Sequence, residues 1–449
     1  MSNYRLTVPE PEIKLYEQGF EGVCKLNRAS DGKKLSDLVE KIAEPMVIAL
    51  DAPWGAGKSV FLKCWVGAHT KREQATTVYF DAFKHDYIDD PLVSIVGALD
   101  ERVADLTSEN PAKSALRSGV DKAKRYAPAI GRGLLRVGAS ILTAGAINQI
   151  EDPTQTILDE AITASGDELG ALTQDFWKTE ENRRIAMEAF RESLKSIATA
   201  DQKLIIVVDE LDRCRPDYAL NLLEVIKHFF DVPNVHFVLG VNLKELANSV
   251  RARYGAGVSA EKYLQKFVTV VMPMTNIYRH LPNNDAALTH LSNCAEQLGL
   301  GSRGKLGTLR NYVRLVEQHI GVSLRDVERI TTLAKITPKP NFEKRDGPLH
   351  LYYGLLVLKV VSPDAFNDIR SKSLTRDRLF RIFSIGERSK HDPFASSAYD
   401  IWMLATSSNA DDVPTELRAS SERLFGNASP PEVLHSLITE DIDALEFLG

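Results

Sequence analysis

The stretch ALDAPWGAGKSVFLKCW, residues 49–65, decides the fold. Its start reads as the end of a buried strand, its middle as a glycine-rich loop and its end as a helix. Pro53, Trp54, Gly55, Ala56, Gly57, Lys58, Ser59 and Val60 form that loop and the first helical turn. Successive backbone N–H groups around Gly55 and Gly57 can wrap a polyphosphate, and the helix start adds unpaired N–H groups and the positive end of its dipole. Lys58 can reach the terminal phosphates, and Ser59 can ligate Mg²⁺. Ala52 stands where this P-loop pattern prefers glycine; it fits if that position does not need positive φ. A glycine-rich turn without a ligand is the alternative reading.

Working outward, Met46–Asp51 is the strand that feeds the loop, and Thr76–Asp81 reads as a second, β-branched and aromatic strand. Lys203–Asp209, KLIIVVD, is a continuous apolar run ending in acid, the pattern of a strand buried on both faces. Pro216 suits the first position of a helix, Val235–Val241 is another buried strand, Leu243–Tyr254 a helix, and Phe267–Met272 a fifth strand closed by Pro273. Strands alternating with helices predict an α/β, three-layer fold with a parallel sheet. Residues 105–200 read as a helical insertion, and residues from 276 onward as helices and turns. The expected division is an N-terminal segment 1–40, a nucleotide-binding domain 41–275, and a helical lid and C-terminal domain 276–449.

The acidic end of KLIIVVDELDRC supplies the second half of a site. Strand C-termini in such sheets face the ligand crevice, so Asp209 can hold Mg²⁺ and Glu210 can polarise an attacking water. A solvated acidic turn is the alternative for DELD taken alone. Arg213 either pairs locally with Asp212 or sets the acidic pair in place. Asn242 is a candidate γ-phosphate sensor, or a turn residue before the helix. Arg251 and Arg253 suit a neighbour's nucleotide in a ring assembly, or a solvated basic helix end. Ser323-x-x-Asp326 is a capping box, and Arg325 and Arg329, four apart on the helix it opens, are lid-sensor candidates or surface charge.

Composition narrows the classes. The 449-residue chain is 44% hydrophobic and 26% charged, as in soluble globular proteins, and its net charge of −6 gives no overall pull on nucleic acid. Cys24, Cys64, Cys214 and Cys294 form no CxxC pair, which points to reduced thiols rather than a metal site. The N-terminal MSNYRLTVPEPEIK has no apolar run, so no signal peptide is expected and the cytoplasm is the expected location. Residues 127–147, APAIGRGLLRVGASILTAGAI, are apolar, but Arg132 and Arg136 leave too short a run to span a bilayer. A transmembrane helix, an interfacial or partner-binding helix and a buried or self-packed helix are the three readings of this segment, and membrane-peripheral association through it is one expectation.

With PWGAGKS, YFDAFKHDYIDDPL, VVDELDRCRPDYALNLLEVIKHFFDVPNVHFVLGVN and the YLQKF run before VMP, the chain resembles the KAP family of P-loop NTPases over residues 45–275 in pieces. The resemblance implies an additional-strand P-loop domain with sheet order 5-1-4-3-2. It implies phosphate and Mg²⁺ as ligands, with Lys58 and Ser59 on phosphate and metal, Asp209 on the metal, Glu210 as catalytic base and Asn242 as sensor, and the later loops carry no guanine-reading NKxD motif, which favours ATP over GTP. The family's insertion often carries transmembrane helices, from which Arg132 and Arg136 depart, and Asp81 stands where the family commonly has Asn. Bacterial relatives are associated with phage exclusion and defence gene sets, which implies a defence role, with a homo-oligomer or a protein from the same gene set as partner. The resulting expectation is an ATPase driving a switch or an assembly. A nucleotide-binding scaffold, a small-molecule kinase and a DNA-stimulated ATPase are the alternatives.

Overall fold

The computed structural model describes residues 7–71 apart from 10, 75–106, parts of 113–121 and 184–198, 203–274 apart from 230, 286–300, 306–338 apart from 318, 345–386, 392–407 and 412–443. These fall into two compact units, one grouping Ile13–Ala52 with Lys58–Met274, the other Met1–Glu12 with Pro53–Gly57 and Thr275–Gly449.

The first unit is built on a five-stranded sheet. β1 (Met46–Asp51), β3 (Lys203–Asp209) and β4 (Val235–Val241) carry the longest apolar runs and lie inside it, while β2 (Ala75–Asp81) and β5 (Val270–Pro273) are its edges, giving the order β2-β3-β4-β1-β5. That is the sheet order implied by the family resemblance, read from the opposite edge. Every strand pair is parallel, with Asp51 opposite Val241, Asp209 opposite Gly240 and Asp81 opposite Asp209, so the acidic strand ends share one edge of the sheet. Strands buried on both faces need helices on both sides. α1 (Ala29–Lys41), α2 (Lys58–Thr70), α3 (Ala82–His85), α4 (Pro91–Asp105), α5 (Pro216–Ile226), α6 (Leu243–Tyr254) and α7 (Ala260–Leu264) belong to this unit.

Two local features set its frame. Buried Lys203, the first residue of β3, donates to the carbonyls of Val39 (2.9 Å), Glu40 (2.6 Å) and Ile42, so a cation caps the carbonyl end of α1. β5 begins at Val270, later than the Phe267 expected from sequence. The amides of Phe267 and Val268 instead bond back to Leu264 O, closing α7, and only at Thr269 does an amide reach Val47 O on β1. Pro273 lies inside β5, which an edge strand tolerates.

In the second unit the described elements are helical. They are α8 (Ala286–Gln297), α9 (Gly307–Glu317), α10 (Leu324–Ile336), α11 (Asp346–Val361), α12 (Pro363–Arg370), α13 (Arg376–Ile382), α14 (Pro393–Ala405), α15 (Thr415–Phe425) and α16 (Pro430–Ser436), followed by one wide turn at Leu437–Ile442. α11, LHLYYGLLVLKVV in its main part, is buried nearly all round. Its His350 ring stacks on Phe394 at 4.8 Å and faces the Tyr312 hydroxyl, which accepts from Trp402 Nε1 at 3.0 Å. Most of the 105–200 insertion, including 127–147, lies outside the described residues. Among the described residues no helix is long and apolar enough to cross a membrane.

Two buried histidines make stability depend on pH. Burial, aided by the Lys203 cation, pushes His236 on β4 down to about 4, and burial, partly opposed by Asp346, pushes His350 down to about 4. The unfolded chain takes up these protons near pH 6.5 while the folded chain stays neutral to about 4. Stability contributed by the neutral rings is therefore lost as pH falls through that window. At pH 5 each histidine is expected to cost about 2 kcal/mol relative to pH 7.5. Denaturant titrations at the two pH values should show that loss shrinking by about this amount in His350→Asn, which keeps a polar atom near the Tyr312 hydroxyl.

Candidate active site

The residues that could handle a phosphate come from three strand ends. β1 ends at Asp51, and its ladder with β4 continues one step through Ala52 N–H to Val241 O at 3.2 Å. Ala52 is buried and keeps negative φ, so the missing glycine costs the loop nothing, whereas Gly55 (φ 78°) and Gly57 (φ 80°) take the left-handed region that favours glycine. Pro53 and Trp54 are exposed, Ala56 is buried, and Ala56 N–H returns to Pro53 O at 3.3 Å. Within the second unit, the carbonyl of Gly55 accepts from Leu324 N–H at 3.1 Å. A Cβ on Gly55 would meet Arg325 Cβ at 2.8 Å and Ser323 Oγ at 2.9 Å. The Ser323–Asp326 capping box forms as the spacing predicts, which places α10's first turn on the loop residue itself. Arg325 and Arg329 are both exposed on α10.

Lys58 opens α2, and Val60 sits half-buried two residues on. The Lys58 ammonium, largely buried, donates to Ala52 O at 2.7 Å, across the loop's own neck. Burial pulls its pKa down, and Asp212 and Asp209 oppose that pull, so the carboxylates help to keep the cation charged.

Asp209 ends β3 and is fully buried. Its Oδ1 accepts from Glu210 N–H at 2.9 Å and its Oδ2 from the Tyr79 hydroxyl at 2.7 Å. Burial pushes Asp209 up to about 6, against the Tyr79 hydrogen bond and the nearby Ser59 hydroxyl, which favour the ionised form. Gly240 on β4 is required opposite it, because a Cβ there would lie 2.5 Å from Asp209 Oδ1 and 2.5 Å from Leu62 Cδ1.

Glu210 has φ 58° and ψ 27°, an uncommon left-handed conformation for a non-glycine residue. It turns the chain sharply out of β3 into a single tight turn, Leu211–Arg213. Glu210 Oε1 accepts from Ser59 Oγ at 3.1 Å and pairs with Arg213 at 2.9 Å. Arg213 thus pairs with Glu210, as one of the two sequence readings has it. The turn is braced on its far side by Arg215, whose amide donates to Asp86 and whose guanidinium pairs with Asp89 at 3.1 Å.

Ser59, Asp209 and Glu210 are thereby brought together with Lys58 close by, whereas the remaining candidates lie in other settings. Asn242 caps α6 through Lys244 N–H at 3.2 Å, and Asp51 takes the Leu243 N–H at 2.9 Å, so the start of that helix is satisfied by two side chains. Arg251 bonds Asn248 at 3.0 Å and pairs with Glu261, and Arg253 is exposed at the end of α6. Sequence reading missed Tyr79 and Asp51. A tyrosine in a β-branched strand reads as packing, and an aspartate at a strand end as a turn. Only the parallel register, with Tyr79 opposite Val207, brings the hydroxyl to the acid.

Among the described residues no group of three or more His, Cys, Asp or Glu side chains converges as a metal cage. The donor set fits a hard cation that takes one carboxylate and one hydroxyl from the protein and the rest from phosphate and water. Ser59 Oγ and the Asp209 carboxylate, close together at this edge, are a hydroxyl and a carboxylate of those types.

In comparison with known proteins, residues 29–338 match the KAP family P-loop domain. The chain belongs to that family. A 43-residue stretch is 51% identical to an uncharacterized protein, MJ0182, of Methanocaldococcus jannaschii. That stretch is 10% of this chain, and the match spans only 22% of that curated relative. Among solved structures, the Aeropyrum pernix ORC2 protein in its ADPNP-ADP complexes aligns at TM-score 0.35 and 10% identity over 98% of this chain and 96% of its own. Drosophila ORC bound to DNA aligns at 0.33 and 12% over 92% and 81%. Both likenesses are weak.

The contact at Gly240 yields a direct test. Gly240→Ala should displace the Asp209 carboxylate, lower stability by about 1–3 kcal/mol and weaken Mg²⁺-dependent nucleotide binding. Gly97→Ala, in α4 where a Cβ meets nothing within 4 Å, should leave binding unchanged and raise stability by about 0.5–1 kcal/mol. Denaturant titration and nucleotide titration of the two variants read the difference.

Proposed function

We propose that this KAP-family protein is a Mg²⁺-dependent ATPase whose hydrolysis drives a conformational switch or an assembly. One observation carries the reading: the hydroxyl of Ser59, the carboxylate of Asp209 and the carboxylate of Glu210 meet at the end of β3, beside Lys58. A scaffold that merely held nucleotide would have no use for a second carboxylate in a strained backbone conformation.

In this reading the N–H groups of residues 55–59 and the Lys58 ammonium hold the β- and γ-phosphates. Ser59 and Asp209 would hold Mg²⁺, which would supply positive charge to offset the negative charge that develops on the phosphate. Glu210 leaves its bond to Ser59, orients a water and accepts its proton as the water oxygen attacks the γ-phosphorus and the bond to the ADP oxygen breaks. Arg213 holds Glu210 through the pairing described above, so release of that pair sets when the base becomes available. Asn242 already spends its carbonyl oxygen on Lys244 N–H, so as a sensor it would work through its amide donors. Since Arg251 is paired with Glu261, Arg253 is the better candidate for an arginine supplied to a second copy.

Family resemblance extends the proposal to bacterial antiphage defence, with a second copy of the chain or a protein of the same gene set as partner. Peripheral membrane contact through residues 127–147 belongs to the same proposal.

Phosphate release by wild type, Glu210→Gln and Lys58→Ala tests it. Glu210→Gln should bind ATP as tightly as wild type and turn over about 10²-fold or more slowly, and Lys58→Ala should bind poorly. Turnover by Glu210→Gln equal to wild type would remove the assigned base. Wild-type turnover no higher than that of Lys58→Ala, with DNA, RNA or lipid vesicles present as well as alone, would remove the enzyme reading.

A further inference from the structure

Among the described residues, Tyr79 is the one side chain hydrogen-bonded to the buried acid that comes from neither motif. It lies on edge strand β2, opposite Val207 on β3, two residues short of the level at which Asp209 sits opposite Asp81. Two residues of strand span about 6.6 Å, a distance that a phenol ring and its hydroxyl bridge and that no shorter hydroxyl side chain does. The register therefore brings the hydroxyl alongside Asp209, where it donates to Oδ2 at 2.7 Å.

The backbone beneath Tyr79 is pinned as well. β2 is an edge, yet Tyr79 N–H donates to the Tyr16 hydroxyl at 3.0 Å and Thr77 O accepts from buried Arg102 Nε at 2.9 Å. The Arg102 guanidinium lies 3.6 Å from the centroid of the Tyr16 ring, so one stacked pair serves both of these backbone groups. On the side of Asp209, Oδ1 is fixed by Glu210 N–H and confined by Gly240. With Oδ1 held by its own strand, the Tyr79 bond to Oδ2 fixes the rotation of the carboxylate.

We infer that Tyr79 is a positioning residue that sets the orientation of the Asp209 carboxylate and thereby the affinity of the site for Mg²⁺. The inference rests on the reading of Asp209 as a metal ligand. A hydrogen-bonded partner behind a ligating carboxylate typically accounts for about 10–100-fold in metal affinity.

The test measures binding without turnover. An imido analogue of ATP is titrated into the full-length protein in EDTA and in Mg²⁺, and the gain in affinity produced by Mg²⁺ is compared among wild type, Tyr79→Phe, Asp209→Asn and the double variant. Tyr79→Phe is expected to bind the analogue in EDTA like wild type and to lose about 10-fold of the Mg²⁺ gain. A merely structural role would weaken both titrations alike. In the double variant, Tyr79→Phe should add nothing to the loss already caused by Asp209→Asn. A full Mg²⁺ gain in Tyr79→Phe, with the gain lost in Asp209→Asn, overturns the role of Tyr79 alone. A full gain in Asp209→Asn overturns the metal reading and this inference with it. Should Tyr79→Phe fail to fold, folding restored in the double variant supports the coupling, because the carboxylate stranded without its donor is then gone. Failure of both to fold overturns the inference, since the tyrosine would then serve strand packing.

Discussion

A carboxylate buried without exposure at the end of β3 is the constraint around which the sheet unit is arranged. A charge in that position is unaffordable unless hydrogen bonds reach it. Two hydrogen bonds reach Asp209, from Tyr79 on β2 and from the amide of Glu210 in its own chain, and the Ser59 hydroxyl on α2 lies beside it. Each donor depends on a feature elsewhere. Tyr79 needs the parallel register of β2 and β3, Ser59 needs the loop to deliver α2 to this edge, and the Glu210 amide needs the chain to turn at once into a left-handed residue. Gly240 completes the arrangement by having no side chain where the acid must sit.

The same turn explains how one dipeptide supplies two chemically different acids. Asp209 is confined, with each carboxylate oxygen held by one donor, which fixes its orientation and leaves lone pairs free. Glu210 is partly exposed, lies outside the sheet and bonds only side chains that can move away, Ser59 and Arg213. Backbone strain of about 1–3 kcal/mol at such a residue persists where surrounding contacts over-determine it. Here those contacts are the Arg213 amide on Glu210 O at 3.1 Å and the Arg215 ties to Asp86 and Asp89.

Most of the sheet was legible because its central strands are uninterrupted apolar runs bounded by turn residues. Met46–Asp51, Lys203–Asp209, Val235–Val241 and Leu243–Tyr254 appear as the sequence predicts. Phe267 misled because apolar periodicity does not register that its amide would be used to close α7 instead of joining the ladder. The ends of the motifs were legible for a related reason, since glycine, lysine and acid at fixed spacing report a backbone shape. The supporting residues were not. Tyr79 and Asp51 act through partners about 130 and 190 residues away, and such pairings exist only once strands are in register. Asn242 illustrates the converse, for a polar residue at a strand end is equally suited to capping the next helix, and here its carbonyl oxygen does so.

Locating the metal and the nucleotide would show whether Lys58 and Ser59 at the start of α2 and Asp209 at the end of β3 form one site for metal and triphosphate. Crystals of the Glu210→Gln protein with ATP and Mn²⁺, measured at the manganese absorption edge, would place both. The expected result is an anomalous peak within about 2.0–2.2 Å of Ser59 Oγ, beside Asp209, with Lys58 on the terminal phosphates. A nucleotide bound away from Lys58, or a manganese peak with neither Ser59 nor Asp209 beside it, would contradict it.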